Sequence, residues 1–99
     1  MSESYGGEEP QGLPCVLSEE VTALLLDPAL PGEVFGAIVA ATVVINETRG
    51  EVPGSTASVK WPEQRRMPLG ATGELGIAEY VISADADPPS IVLTRIQLY

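Results

Sequence analysis

Apolar and polar positions follow two different periods in this chain, one before and one after its middle. In the first half, Val21, Leu24 and Leu25 recur at helical spacing, and Val34, Phe35, Ile38, Val39, Thr42 and Ile45 keep to one broad helical face. In the second half, three runs rich in Val, Ile, Leu and Tyr are cut apart by Gly-Ala-Thr-Gly and by Asp-Ala-Asp-Pro-Pro. That pattern predicts an antiparallel meander with strands near Arg65–Leu69, Glu74–Ala84 and Ser90–Tyr99. Helices and strands are therefore segregated along the chain, which selects an α+β fold.

The boundaries can be read residue by residue. Leu13–Leu17 is a short first strand. Ser18 offers a helix N-cap, and Glu19 and Glu20 place negative charge in the first turn, where the helix dipole favours it. This helix stops at Asp27-Pro28. A second helix begins near Pro31, with Glu33 in its first turn, and runs to about Thr48, where Gly50 supplies a cap beside Arg49. Its β-branched content also suits a buried strand, but an unbroken run from Glu33 to Thr48 exceeds ordinary strand length. Glu51–Ser58, with Pro53 and Gly54, reads as a loop. In the final strand Val92, Thr94, Ile96 and Leu98 are expected to face the helices, and Ile91, Leu93, Arg95, Gln97 and Tyr99 to face away. The expected architecture is a short N-terminal strand, two helices, and a three-stranded antiparallel meander packed on them. Residues 1–12 read as a flexible acidic tail, and 13–99 as a single α+β domain.

Composition narrows the function. At 99 residues, folding buries roughly 60–70% of the unfolded surface, and with few aromatics the core is mainly aliphatic. The single cysteine, Cys15, allows no intrachain disulfide, and its apolar neighbours suit a small buried hydrophobe without a base to activate it. No secretory leader is visible at the acidic N-terminus. The longest apolar run, Phe35 to Ile45, is far short of the roughly 20 residues a bilayer span needs. A soluble, cytoplasmic protein with no membrane contact is expected. Fourteen acids against five bases give a net charge of −9, which repels nucleic-acid phosphates and anionic membranes. Three of the five bases nevertheless fall between Lys60 and Arg66.

The run AEYVISADADPPSIVLTRI resembles the segment Y-R-V-x-Y-x-V-D-D-D-P-P-x-V-V-V-L-x-I that closes many members of the RelE/ParE toxin superfamily. RRMPLG resembles the strand before it, where members often carry R-x-L. The resemblance covers residues 13–99 and implies strand, two helices, then a three-stranded meander. It also implies a toxin of a bacterial toxin–antitoxin system, with an antitoxin as protein partner. Some members are endoribonucleases that need neither metal nor cofactor and steady the scissile phosphate with cations; others act on DNA gyrase. On this chain the family's arginine position falls on Ile77 and its first tyrosine on Gly76, so the principal phosphate-binding arginine is replaced. The catalytic candidates that the resemblance leaves are Arg65, Arg66 and Arg95 for phosphate contacts, with Tyr80 or Tyr99 for proton transfer. Lys60 and Trp61 are the substrate-binding candidates, able to grip a phosphate and stack on a base.

The plain reading of Lys60 to Arg66 is a solvated strand start with Trp61 capping the core, and Glu63 together with the net charge supports it. RNA stays open as a target but is disfavoured by that charge. Glu74 and Glu79 are an odd number of residues apart on a strand and so cannot converge as an acid/base pair. Asp85 and Asp87 serve a turn. Without histidine and with one cysteine, no zinc site is expected. Gly70, Gly73 and Gly76 lie in a hairpin, outside the strand-to-helix context a nucleotide-binding glycine motif requires. Two functions follow: a RelE/ParE-like toxin, weak or degenerate as a ribonuclease, that binds an antitoxin; or a non-enzymatic acidic module that docks on a basic partner.

Overall fold

The structure, a computed structural model, describes residues 12–99; apart from Gly12, the expected acidic tail lies outside the described residues. The fold is α+β, with two helices and a five-stranded mixed sheet. The strands are β1 (Cys15–Leu17), β2 (Thr56–Ala57), β3 (Gln64–Leu69), β4 (Gly76–Ser83) and β5 (Ser90–Leu98). The helices are α1 (Glu19–Leu25) and α2 (Gly32–Glu47). The sheet order is β1-β5-β4-β3-β2. β1 runs parallel to β5, and every other neighbouring pair is antiparallel. The sheet is wider than the expected three strands and is mixed, with β1 on one edge and the two-residue β2 on the other. β2 falls inside the stretch expected to be only a loop: Thr56 and Ala57 find ladder partners in Arg66 and Arg65. No helix among the described residues is long and apolar enough to cross a membrane.

Each helix starts as its sequence dictates. The Ser18 hydroxyl accepts from the Val21 N–H at 3.2 Å and caps α1. α2 ends in a Schellman turn in which the Gly50 N–H donates to the Ile45 carbonyl and the Arg49 N–H to the Asn46 carbonyl. Arg49, with φ 56°, takes the first left-handed position, and Gly50, with φ 87°, continues on the positive-φ side. Packing also requires a glycine at 50, since a Cβ there would stand 2.5 Å from Ile82 Cδ1.

Both helices cover one face of the sheet. Val21, Val34, Ile38, Ala41 and Ile45 from the helices meet Leu69, Ala78, Tyr80, Ile91, Leu93 and Ile96 from the strands. Two expectations are corrected here. Phe35 and Val39, placed on the inner face of α2 by the sequence pattern, are exposed, and Ala41 takes the inner position. The helix is apolar on nearly all sides, so periodicity alone did not single out the side that packs.

The second correction concerns β5. Glu79 pairs with Arg95 and Tyr80 pairs with Leu93, so Thr94 is an extra residue, a β-bulge. A bulge inverts the inward–outward alternation on one side of it. Ile91 and Leu93 therefore lie in the core before the bulge and Ile96 after it, whereas Val92 and Thr94, expected to face the helices, do not join the core. Arg95 and Gln97 face away from the helices as expected.

Candidate functional site

Because both helices lie on one side, the opposite face of the sheet is open. Ladder register sets its side chains in rows. Thr56, Arg66, Glu79 and Arg95 are successive partners across β2, β3, β4 and β5. Beside this row lies an uncharged one, in which Gln64, Val81, Val92 and Val16 are partners across β3, β4, β5 and β1. A shallow groove of about 320 Å³ follows the first row; Arg65, Arg66 and Tyr80 are among its lining residues, with Thr56, Glu79 and Thr94.

Charge within the groove is largely internal. Arg66 Nε lies 3.2 Å from Glu79 Oε2, and Glu79 is the less exposed partner, at 24% against 65%. Arg95 stands opposite the same carboxylate in the ladder and is exposed. Two guanidinium groups therefore flank one carboxylate, leaving the row with one excess positive charge. Thr94 Oγ1 is committed as well, donating to the Glu79 carbonyl at 3.1 Å. Such a row offers hydrogen bonds to a polar ligand, but its cations are partly neutralised before any ligand arrives.

The residues singled out from the sequence are distributed over the molecule. Arg66 and Arg95 share the open face. Arg65 alternates to the helix side, where its Nη2 and Nε donate to Ser55 Oγ at 2.8 and 3.3 Å. Ser55 in turn donates to the Val52 carbonyl at 2.6 Å, so this arginine fastens the loop after α2. Tyr80 also lies on the helix side, fully buried, and its hydroxyl donates to the Gly50 carbonyl at 2.7 Å. Tyr99 follows β5, exposed, held by its N–H on the Leu75 carbonyl.

Lys60 and Trp61 sit in the turn between β2 and β3. There the Trp61 N–H donates to Ser58 Oγ and the Gln64 N–H to the Trp61 carbonyl. The ammonium of Lys60 is 5.8 Å from the centre of the Trp61 ring, and the indole is half-exposed rather than capping the core.

Of the two carboxylates expected on one strand, only Glu79 lies in β4. Glu74 precedes β4, which begins at Gly76 and not at Glu74, and its Oε1 accepts from the Thr72 N–H and hydroxyl at 2.9 and 2.8 Å. The Thr72 backbone N–H is the main cause that holds the Glu74 carboxyl below its usual range. Among the described residues no three His, Cys, Asp or Glu side chains cluster to hold a metal ion. Cys15 is half-buried and packs against the core, and burial pushes its thiol pKa up. A raised pKa lowers the thiolate fraction and with it the nucleophilicity.

Sequence reading missed Glu79 as the neutraliser of Arg66, and Thr56, Ser58 and Thr94 as groove walls. These residues are brought together by ladder register and by the bulge, neither of which has a local signature. The chain matches no family model, and no curated protein or solved structure matches it significantly.

Proposed function

We propose that this chain is a RelE/ParE-like protein that acts by holding a protein partner of the antitoxin kind and not by cleaving RNA. Supporting the family reading is the order of elements: a strand, two helices, and strands that pair antiparallel in succession. The observation that carries the binding reading is the division of the phosphate-handling candidates. Arg66 and Arg95 lie on the open face, whereas Arg65 and Tyr80 are turned to the helix side and fully engaged there. Metal-free cleavage needs cations and a proton-transfer group converging on one phosphate within hydrogen-bond reach. Tyr80 lines the groove, but its hydroxyl is buried and committed to the Gly50 carbonyl. Arg66, tied to Glu79, gives up part of its charge.

Induced expression of the chain alone in a bacterial host, with growth and transcript integrity followed together, tests this reading. Normal growth and intact transcripts are expected. Growth arrest with transcript cleavage that Arg66→Ala or Arg95→Ala relieves would overturn it in favour of a working ribonuclease.

A second reading, an acidic module docking on a basic partner, draws on the exposed carboxylates Glu19, Glu20, Glu33, Glu47 and Glu51 at the ends of the helices. Binding of that type weakens steeply as salt is raised, because it depends on screened surface charge. A partner held mainly by apolar contacts shows little salt dependence, which separates the two readings.

A further inference from the structure

We infer that the open sheet face takes a helix of a protein partner, laid across the strands, whose side chains present the charge pattern acid, base, acid. The inference rests on the partner-binding reading above and adds where the partner sits and what it presents. Arg66, Glu79 and Arg95 stand in one row on neighbouring strands, so the face reads plus, minus, plus. The row beside it carries Val81, Val92 and Val16 on the side of the sheet that both helices leave bare, and Val16 is 50% exposed.

Charge is segregated to this face. Arg65 and Arg66 line the groove, Arg95 flanks it, and Lys60 stands in the adjoining turn, so four of the five cations of the chain gather here. Arg65 is engaged with Ser55, which leaves Arg66 and Arg95 to face a partner. Glu79 is the one acid in the groove lining. The acids that give the chain its net charge of −9 stand in large part at the helix ends and in the turns. At physiological ionic strength charge is screened beyond about 8 Å, so contacts in the groove are set by the groove's own groups. Two guanidinium groups around one carboxylate are complemented by two acids around one base. Such a partner leaves the 3.2 Å pair of Arg66 and Glu79 intact, whereas a purely acidic ligand would meet Glu79 head-on.

Spacing selects a helix. Neighbouring strands lie about 4.8 Å apart, which sets Arg66 and Arg95 about 10 Å apart at the backbone. On a helix, residues i, i+3 or i+4, and i+7 share a face, and seven residues rise about 10.5 Å. Three successive same-face residues of an extended segment span about 13.5 Å, too long for the row. The valine row lies two residues further along the strands, about 7 Å away, where the apolar stripe of the same helix reaches it.

The contact is small and its ion pairs are exposed, so each contributes little. A dissociation constant on the order of 10–100 µM follows. The turn that holds the half-exposed Trp61 borders the groove through Ser58. The single tryptophan of the chain is therefore a reporter beside the site.

The test uses the full chain and two synthetic alanine-rich peptides of about 16 residues, long enough to form a helix. Both carry a leucine stripe; one has Glu, Lys, Glu at i, i+4 and i+7 beside it, the other Lys, Glu, Lys. Tryptophan fluorescence gives the affinity, and backbone amide shifts of the labelled chain give the location. The Glu-Lys-Glu peptide should bind at least about 10-fold more tightly and shift the amides around Arg66, Glu79, Val81 and Arg95. Net charge alone favours the Lys-Glu-Lys peptide, because the chain carries −9, so the two expectations oppose each other. Arg95→Glu, at an exposed position, should weaken the Glu-Lys-Glu peptide on the order of 10-fold, and a Glu-Lys-Lys peptide should restore the loss. No binding of the Glu-Lys-Glu peptide below about 1 mM overturns the inference. Equal or tighter binding of the Lys-Glu-Lys peptide does so too, as do amide shifts confined to the helices. None of these outcomes bears on growth or transcript integrity, so the partner-binding reading stands or falls separately.

Discussion

The hydroxyl of Ser18 donates to the carbonyl of Thr94 at 3.0 Å while accepting from the Val21 N–H at 3.2 Å. One side chain thus caps α1 and satisfies the carbonyl of the extra residue in the β5 bulge, and the Ser18 N–H donates to the Leu93 carbonyl beside it. A bulge leaves a residue unpaired in the ladder, and here the helix cap supplies the partner. The position where the β5 alternation inverts is therefore tied to the start of the first helix.

Ser18→Ala removes both bonds together. An N-cap alone is worth about 1 kcal/mol, and a part-buried carbonyl left without its donor adds a comparable amount. Urea unfolding should show a loss of about 2 kcal/mol, with Ser18→Thr recovering most of it. A loss no larger than that of a simple cap would mean that the bulge stands without Ser18.

Tyr80→Phe tests what the buried hydroxyl does. It leaves the Gly50 carbonyl without its donor in the core, and the stability cost should be about 1–3 kcal/mol. Partner binding by the folded variant, measured below its unfolding transition, should be unchanged. A variant of wild-type stability that has lost activity would place Tyr80 in the site instead.

Arg49 occupies left-handed backbone space, with φ 56°, in the turn that ends α2. A non-glycine residue there costs at least about 1 kcal/mol, partly offset by the extra unfolded-state freedom of glycine. Arg49→Gly should accordingly stabilise the isolated chain by a few tenths to about 1 kcal/mol in urea unfolding.

Glu74 provides a pH signature. Its folded-state pKa is lowered, first by the Thr72 N–H and also by the Thr72 hydroxyl. A lowered carboxyl pKa means a contribution to the β3–β4 turn that is present above the ordinary carboxylate pKa and lost as pH falls through the folded value. Thr72→Ala keeps the N–H and removes the hydroxyl. Carbon-detected titration should then show the Glu74 midpoint moving part of the way back up; no movement would assign the whole shift to the backbone.

Much of this protein follows from its sequence because local chemistry decides it. Ser18, Pro28, Pro31 and Gly50 punctuate the helices through capping and backbone restriction. The Asp-Pro-Pro and Gly-Ala-Thr-Gly segments separate the strands for the same kind of reason. The segregation of helices from strands, and with it the α+β class, follows from those signals. Tertiary structure decided what depends on partners distant in the chain. Which side of an all-apolar helix packs was settled only by the sheet that receives it, and so Phe35 and Val39 were left outside. The single extra residue at Thr94 has no local marker, yet it sets which half of β5 turns Ile91 and Leu93, or Ile96, into the core. Register placed Glu79 between Arg66 and Arg95 and turned Arg65 and Tyr80 to the other face. Alternation along a strand is a local rule, but the point at which it inverts is a property of two strands together.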